Sequence, residues 1–326
     1  MRSIKTPLKA LAACALAGLL ALPGAPALAD RGHAPDAQAL WFNFGLFARS
    51  ASSLPVRPWM SPEIGAAWAA GHQGQGTRIL VVDDFRSTAR TGGDLGTGQR
   101  SLRHGTWTRD QAAMIAPRAT VVGHDFHGGG AVHLAEGRLN TINLSYGMVA
   151  GAGQAAVQIN WAPLERSIIG HAEAGRAVVV KAAGNDGIAV GAANAAGSVD
   201  YLNRALTGAP SAIFVGALDR NGTPQNRARI TSYSNRAGDD PQVQAQFLTV
   251  GVRGNITGLH GTSFAAPVLS GYAAVLGSKF TDATPVQIAE QLLRTARTDT
   301  IHGYAAHVHG QGEASIARAL APVAIR

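Results

Sequence analysis

Four strings of this 326-residue chain carry residue types that could do chemistry together: Val81-Val82-Asp83, His104-Gly105-Thr106, Ala182-Ala183-Gly184-Asn185-Asp186-Gly187 and Gly261-Thr262-Ser263-Phe264-Ala265-Ala266-Pro267. A serine hydroxyl beside an imidazole that a carboxylate orients is an activated nucleophile. An amide N–H aimed at the same point can receive a developing oxyanion. The chemistry of such a set would be acyl transfer.

Each string also has an ordinary reading. Asp83 could cap the turn after its strand, and His104 is one of eleven histidines. Asn185 could belong to a plain Gly-Asn turn, and Ser263 could be no more than a helix N-cap. Capping, however, requires none of the glycine, threonine and alanines crowded around Ser263. There the serine's own N–H and the positive end of the helix dipole would both face a negative charge. The Asp83-Asp84 pair has a further reading, the magnesium-binding acids of a receiver domain phosphorylated on aspartate, which calls for a cytoplasmic domain beginning near its own N-terminus.

These residues need rigid elements to hold them. The run Ile79-Leu80-Val81-Val82 ends on Asp83 and reads as a buried parallel strand with carboxylates at its carboxyl end. Similar runs recur at 119–123, 141–145, 177–180 and 212–216, with helical stretches at 106–116 and 161–174 between them. That alternation predicts an α/β fold, a mostly parallel central sheet with helices on both faces in a single domain. Ligands in such sheets bind at the carboxyl ends of the strands. Ser263 to Leu276 is apolar almost all round, as a buried helix would be, and Thr284-Pro285 should open another.

Taken in order, an Asp after an apolar strand, His-Gly-Thr, Ala-Gly-Asn and Gly-Thr-Ser-x-Ala-x-Pro make this chain resemble the subtilase family over roughly residues 57–326. The order Asp, His, Ser distinguishes that family from other folds bearing the same triad. The resemblance implies that Ser263 is the nucleophile, His104 its base, Asp83 the group that orients the imidazole, and Asn185 an oxyanion donor. It implies that Ser145, Tyr146 and Gly147 pair with an extended peptide by strand addition, and that Ala182, Ala183 and Gly184 line the main specificity pocket. The expected function is an exported serine endopeptidase acting through an acyl-enzyme on a polypeptide substrate. The alternative is a non-catalytic protein on the same fold, gripping peptide along Ser145 to Gly147.

Several positions depart from the family pattern. Asp84 and Phe85 stand where a small hydroxyl residue and glycine are usual, and Asp84 is expected to point to solvent. Trp107 replaces a second histidine and is expected to alter the pocket wall, while Tyr146 replaces a usual leucine and bears on pocket size. Only 21 residues separate Asp83 from His104, and the helix after His104 lacks the insertion that forms a calcium site in many relatives. The chemistry calls for no cofactor, and the need for structural calcium stays open. His124, His127, His133, His307 and His309 match no familiar closed metal site and read as loop histidines.

The first residues suggest export. Arg2, Lys5 and Lys9 precede the uncharged run Ala10 to Leu22, too short for the ~20 residues of a spanning helix, and Ala27-Leu28-Ala29 offers a cleavage site. Residues 1–29 are thus expected to be a signal peptide, 30–56 an N-terminal extension too short for a folded propeptide, and 57–326 the peptidase domain. Cleavage would remove Cys14, the sole cysteine, and with it any disulfide. It would also leave no membrane anchor and place the protein in the periplasm or outside the cell, which argues against the receiver reading. Without a basic run interleaved with aromatics, nucleic acid is not an expected partner.

Overall fold

Ile79 and Val81 face one side of their strand, Leu80 and Val82 the other, and all four are buried. A strand apolar on both faces must lie between two layers, and helices supply both. The computed structural model of the chain describes the backbone of residues 9–12 and, in full, residues 55–154 and 159–325. The rest of the expected signal peptide, and the extension up to residue 54, lie outside the described residues.

In chain order the elements are β1 (Lys9–Ala12), α1 (Glu63–Ala69), β2 (Arg78–Asp83), β3 (Thr91–Gly93), β4 (Arg100–Leu102), α2 (His104–Ile115), β5 (Thr120–Asp125), β6 (Asn140–Leu144), β7 (Tyr146–Gly151), α3 (Pro163–Glu173) and β8 (Val178–Ala182). There follow β9 (Ser198–Asp200), α4 (Tyr201–Leu206), β10 (Ala212–Leu218), α5 (Pro241–Ala245), β11 (Phe247–Gly251), α6 (Gly254–Thr257), α7 (Ala266–Lys279), α8 (Pro285–Arg294), α9 (Ala306–His309) and α10 (Ile316–Leu320). Six strands form one parallel sheet in the order β11-β10-β8-β6-β2-β5. The α/β architecture expected from the sequence is the one observed.

From β2 the chain steps outward to β5, then returns across β2 to β6 and continues the other way. The sheet's switch point therefore lies at the carboxyl ends of β2 and β6, where open α/β sheets bind ligands. Register fixes the neighbours, with Val82 opposite Leu144 on β6 and His124 on β5. Helices α2, α7 and α8 cover one face of the sheet, α3 and α4 the other.

Helix α7 is buried on every side from Ala266 to Gly277. Its contact with α2 depends on Gly271, where a Cβ would collide with Ile115 Cγ2. A side chain there would push apart the two helices that begin near His104 and Ser263. Helix α8 opens with the expected cap: Gln287 N donates to Thr284 Oγ1 at 3.3 Å and Thr284 N to Gln287 Oε1 at 2.8 Å, a reciprocal capping box. A second, three-stranded antiparallel sheet, β1-β7-β9, stands beside the first.

Candidate active site

Strand β2 carries Asp83 to the switch point as a fully buried carboxylate. Oδ1 lies 2.7 Å from His104 Nδ1 and accepts Asp84 N at 2.6 Å, while Oδ2 accepts the Thr108 hydroxyl at 2.8 Å. His104 is the first residue of α2, and Gly105 is what lets that helix end approach β2. Gly105 N donates to Asp84 O at 3.0 Å, and a Cβ on Gly105 would stand 2.7 Å from that same oxygen. Burial lowers the pKa of His104, but the charge and hydrogen bond of Asp83, with Asp84 behind it, outweigh burial and raise it above 6.5 overall.

Ser263 sits in a single 3-10 turn, Thr262–Phe264, just before α7. Its Oγ donates to Ser145 O at 3.2 Å, and Ser145 Oγ donates to Ser263 O at 3.0 Å. Asn143 Nδ2 donates to Ser145 Oγ at 2.9 Å, and Ser270 of α7 donates to Asn143 Oδ1 at 3.2 Å, tying β6 to α7 beneath the serine. Above it, His104 packs on the neighbouring Phe264, ring centroids 5.4 Å apart. His104 Nε2 is buried and has no hydrogen-bond partner among the described residues.

Asn185 follows β8 through Gly184, whose φ of +116° only glycine adopts without strain. Its Oδ1 accepts both Thr262 N at 2.8 Å and Thr262 Oγ1 at 3.0 Å. Two donors on one end of the amide turn the other end outward. Asn185 Nδ2 is accordingly a buried donor without a partner among the described residues, beside Gly261 and the Ser263 turn. A buried N–H left unmade is costly unless something else accepts it.

Tyr146 and Gly147 begin β7, and the strand has an edge that takes a partner. Lys9–Ala12 pairs with it antiparallel, Leu11 opposite Gly147 and Ala12 opposite Tyr146. A cavity of about 300 Å³ opens between this strand and the end of β8, lined by Ser145, Tyr146, Gly147, Ala182, Ala183 and Gly184, with Asn185 and Ser263 at its mouth. All ten side chains or backbones singled out in the sequence therefore border one cleft or the catalytic-type cluster beside it.

The cavity also holds a buried ion pair that the sequence did not reveal. Lys181 Nζ lies 2.9 Å from Asp200 Oδ2 and donates to Ala182 O at 2.7 Å. Asp200 Oδ1 accepts Met148 N at 2.9 Å and Leu202 N at 3.1 Å, so one carboxylate ties β7, β8 and α4 together. Gly147 is required beside it, since a Cβ there would come within 2.6 Å of Asp200 Oδ2. Tyr146 points away into the core, its hydroxyl donating to Glu165 Oε1 at 3.2 Å. Burial first, then the Glu165 charge, lifts its phenol pKa well above the usual value.

Two expectations fail. Asp84 does not point to solvent: it is 6% exposed and accepts Arg86 N at 3.2 Å and Ser87 N at 2.8 Å. Burial raises its pKa, but hydrogen bonds from Ser87 and Arg86 and the charge of His127 win and lower it. Trp107 does not shape the cavity wall either. It is buried in the core under α2, its Nε1 donating to Thr91 O of β3 at 2.8 Å. Among the described residues no three His, Cys, Asp or Glu side chains converge as a metal site. Sequence reasoning missed the supporting residue Thr108 altogether, and saw Thr262 in the serine's string without its role. Their only signal was position, one helical turn after His104 and one residue before Ser263.

A sequence model of the subtilase family matches residues 111–313, a span holding Asn185 and Ser263 but beginning after Asp83 and His104. No curated protein matches the chain. Among solved structures it is similar to the prenylagaramide maturation protease PagA, over 80% of this chain and 98% of that one, at 20% identity and a TM-score of 0.52. It is also similar to a lanthipeptide protease, over 78% and 90%, at 16% identity and a TM-score of 0.50. At these identities the likeness is one of fold.

Proposed function

This chain belongs to the subtilase family and is a serine peptidase, and we propose that it is an exported endopeptidase working through Asp83, His104, Ser263 and Asn185. One observation carries the reading: two buried nitrogens, His104 Nε2 and Asn185 Nδ2, have no partner among the described residues and stand beside one serine, with Asp83 2.7 Å behind the imidazole.

The steps follow from that arrangement. Ser263 Oγ leaves Ser145 O, gives its proton to His104 Nε2 and attacks the scissile carbonyl carbon. Asp83 stabilises the imidazolium and keeps its Nδ1–H in place. The oxyanion takes the N–H of Asn185 Nδ2 and the backbone N–H of Ser263. His104 then delivers the proton to the leaving amine, the C–N bond breaks, and an ester on Ser263 remains. Water, deprotonated by His104, hydrolyses that ester and restores the serine. No metal or cofactor takes part in these steps.

The substrate is an extended polypeptide added to the edge of β7, with one side chain entering the 300 Å³ cavity. Export rests on the leader residues Arg2 to Ala29. Secreted protein whose N-terminal residue is Asp30 would support it, and retention of the full chain in the cytoplasm would contradict it. The second reading, peptide binding without catalysis, draws on one contact: Ser263 Oγ is bonded to Ser145 O rather than to His104.

A fluorophosphonate probe separates the two readings. Label on the native chain that disappears in both Ser263→Ala and His104→Ala supports a histidine-activated nucleophile. A correctly folded native chain that takes no label favours the binding protein.

A further inference from the structure

We propose that a second cavity, lined by no residue of β7, is the pocket for the leaving-group side of the substrate, and that it receives an acidic side chain through Arg253. The inference rests on the peptidase reading for its direction, and on charge for its chemistry.

Direction comes from the strand edge. A segment pairing antiparallel with β7, as Lys9–Ala12 does, runs with its carboxyl end toward Tyr146 and then Ser145. Ser145 O holds the Ser263 hydroxyl, so the peptide meets the nucleophile there. Whatever follows the scissile bond must continue past Ser263, away from β7. A cavity of about 490 Å³ is bounded by His260, three residues before Ser263 in the same loop, and by Tyr233. Tyr233 also borders the cavity beside β7, so the two adjoin at that residue, and no residue of β7 lines the second one.

Chemistry comes from which charges are already committed. Asp219 is the one acid in the lining; it receives Arg220 Nε and Nη2 at 3.2 and 2.8 Å and Arg229 N at 2.9 Å. Arg220 gives its remaining Nη1 to Asn226 Oδ1 at 3.2 Å. That pair is closed on itself and offers nothing to a basic side chain. Arg253, half-buried in the same lining, has a guanidinium that donates to no group among the described residues, and exposed His260 borders the cavity with it. Val252 and Tyr233 add apolar surface to the same lining. A side chain with a short aliphatic stem and a terminal carboxylate matches both features, the guanidinium pairing with it in a forked, charge-assisted contact.

Binding can be read without catalysis. Blocked hexapeptides Ala-Ala-Leu-Ala-Glu-Ala and Ala-Ala-Leu-Ala-Gln-Ala are titrated calorimetrically into the Ser263→Ala chain and into Ser263→Ala/Arg253→Met, while the native chain is assayed for cleavage of each. The expected result is about tenfold tighter binding of the Glu peptide, a ratio that falls to about one in the Arg253→Met background. Because the ratio is internal to each protein, a partly unfolded variant does not mimic it. That pattern supports the pocket even where the native chain cleaves neither peptide; the peptidase reading fails separately, if the folded native chain takes no fluorophosphonate label. Equal binding of the two peptides, binding of neither, or a Glu preference that survives Arg253→Met overturns the proposal, whatever the native chain cleaves.

Discussion

At Asn185 the amide is held by its oxygen, through the two Thr262 donors, so that its nitrogen is free for a substrate oxygen. Replacing Asn185 by Ala should lower kcat on any cleaved peptide by about a hundredfold or more with little change in KM, the magnitude known for such a donor in a subtilisin. A KM effect alone would show that the amide binds substrate and not the transition state. Lys181 is a different kind of residue. Its side chain is 2% exposed and its carboxylate partner among the described residues is Asp200, 17% exposed, so Lys181→Met leaves that largely buried carboxylate with only the Met148 and Leu202 N–H groups to compensate it. The variant should lose about 3 kcal/mol in urea unfolding, and Lys181→Met/Asp200→Asn should recover most of that. At this scale the sequence was most legible where chemistry demands one residue type in a fixed string, as at Asp83, His104, Asn185 and Ser263. Thr108, Lys181 and Asp200 act through contacts between elements distant along the chain, and nothing in their local strings distinguishes them from ordinary core or cap residues; Thr262 stands in the serine's own string, which marked its place but not its bond to Asn185.

Among the elements, the approach of α2 to β2 is the one on which the imidazole depends. In Gly105→Ala the new Cβ would meet the Asp84 carbonyl, a backbone atom that moves only with its strand. The expected result is a loss of about 1–3 kcal/mol in stability, with a larger fall in Ser263 labelling than in folded fraction, since His104 is the first residue to shift. Labelling that merely tracks folded fraction would contradict this coupling. Near the C-terminus, Glu313 accepts Gly222 N at 2.8 Å, and burial above all raises its carboxyl pKa to about 7. The folded state thus holds this proton more tightly than the unfolded chain does. Stability is full below pH ~4.5 and declines as pH rises toward ~7, by about 3 kcal/mol for this group. Glu313→Gln should remove that slope and be the more stable protein at pH 8; an unchanged pH slope would contradict it. Strands were legible from unbroken apolar runs rich in β-branched residues, as at 79–82 and 177–180. β11 was not, because Phe247-Leu248-Thr249-Val250-Gly251 follows α5 after a single residue, Gln246, with no glycine or proline to mark where it begins.

For the molecule as a whole, the sheet order explains how residues 83, 104, 185 and 263 meet. Asp83 and His104 bracket the connection leaving β2, Asn185 lies in the turn after β8, and Ser263 precedes the helix buried against both. That convergence was readable only through the family's ordered motifs, since strand order is set by packing and leaves no mark in periodicity. Its functional consequence is that Ser263 should be reactive only when His104 can take its proton. The most direct test is the rate at which Ser263 is phosphonylated by a fluorophosphonate as a function of pH, in the native chain and in His104→Ala. The native rate should fall on the acid side through a pKa above 6.5, because Asp83 holds the proton on the imidazole and a protonated base cannot accept another. In His104→Ala the rate should be lower by orders of magnitude and show no such inflection. An inflection that persists without His104, or a native rate no faster than the variant's, would contradict the account.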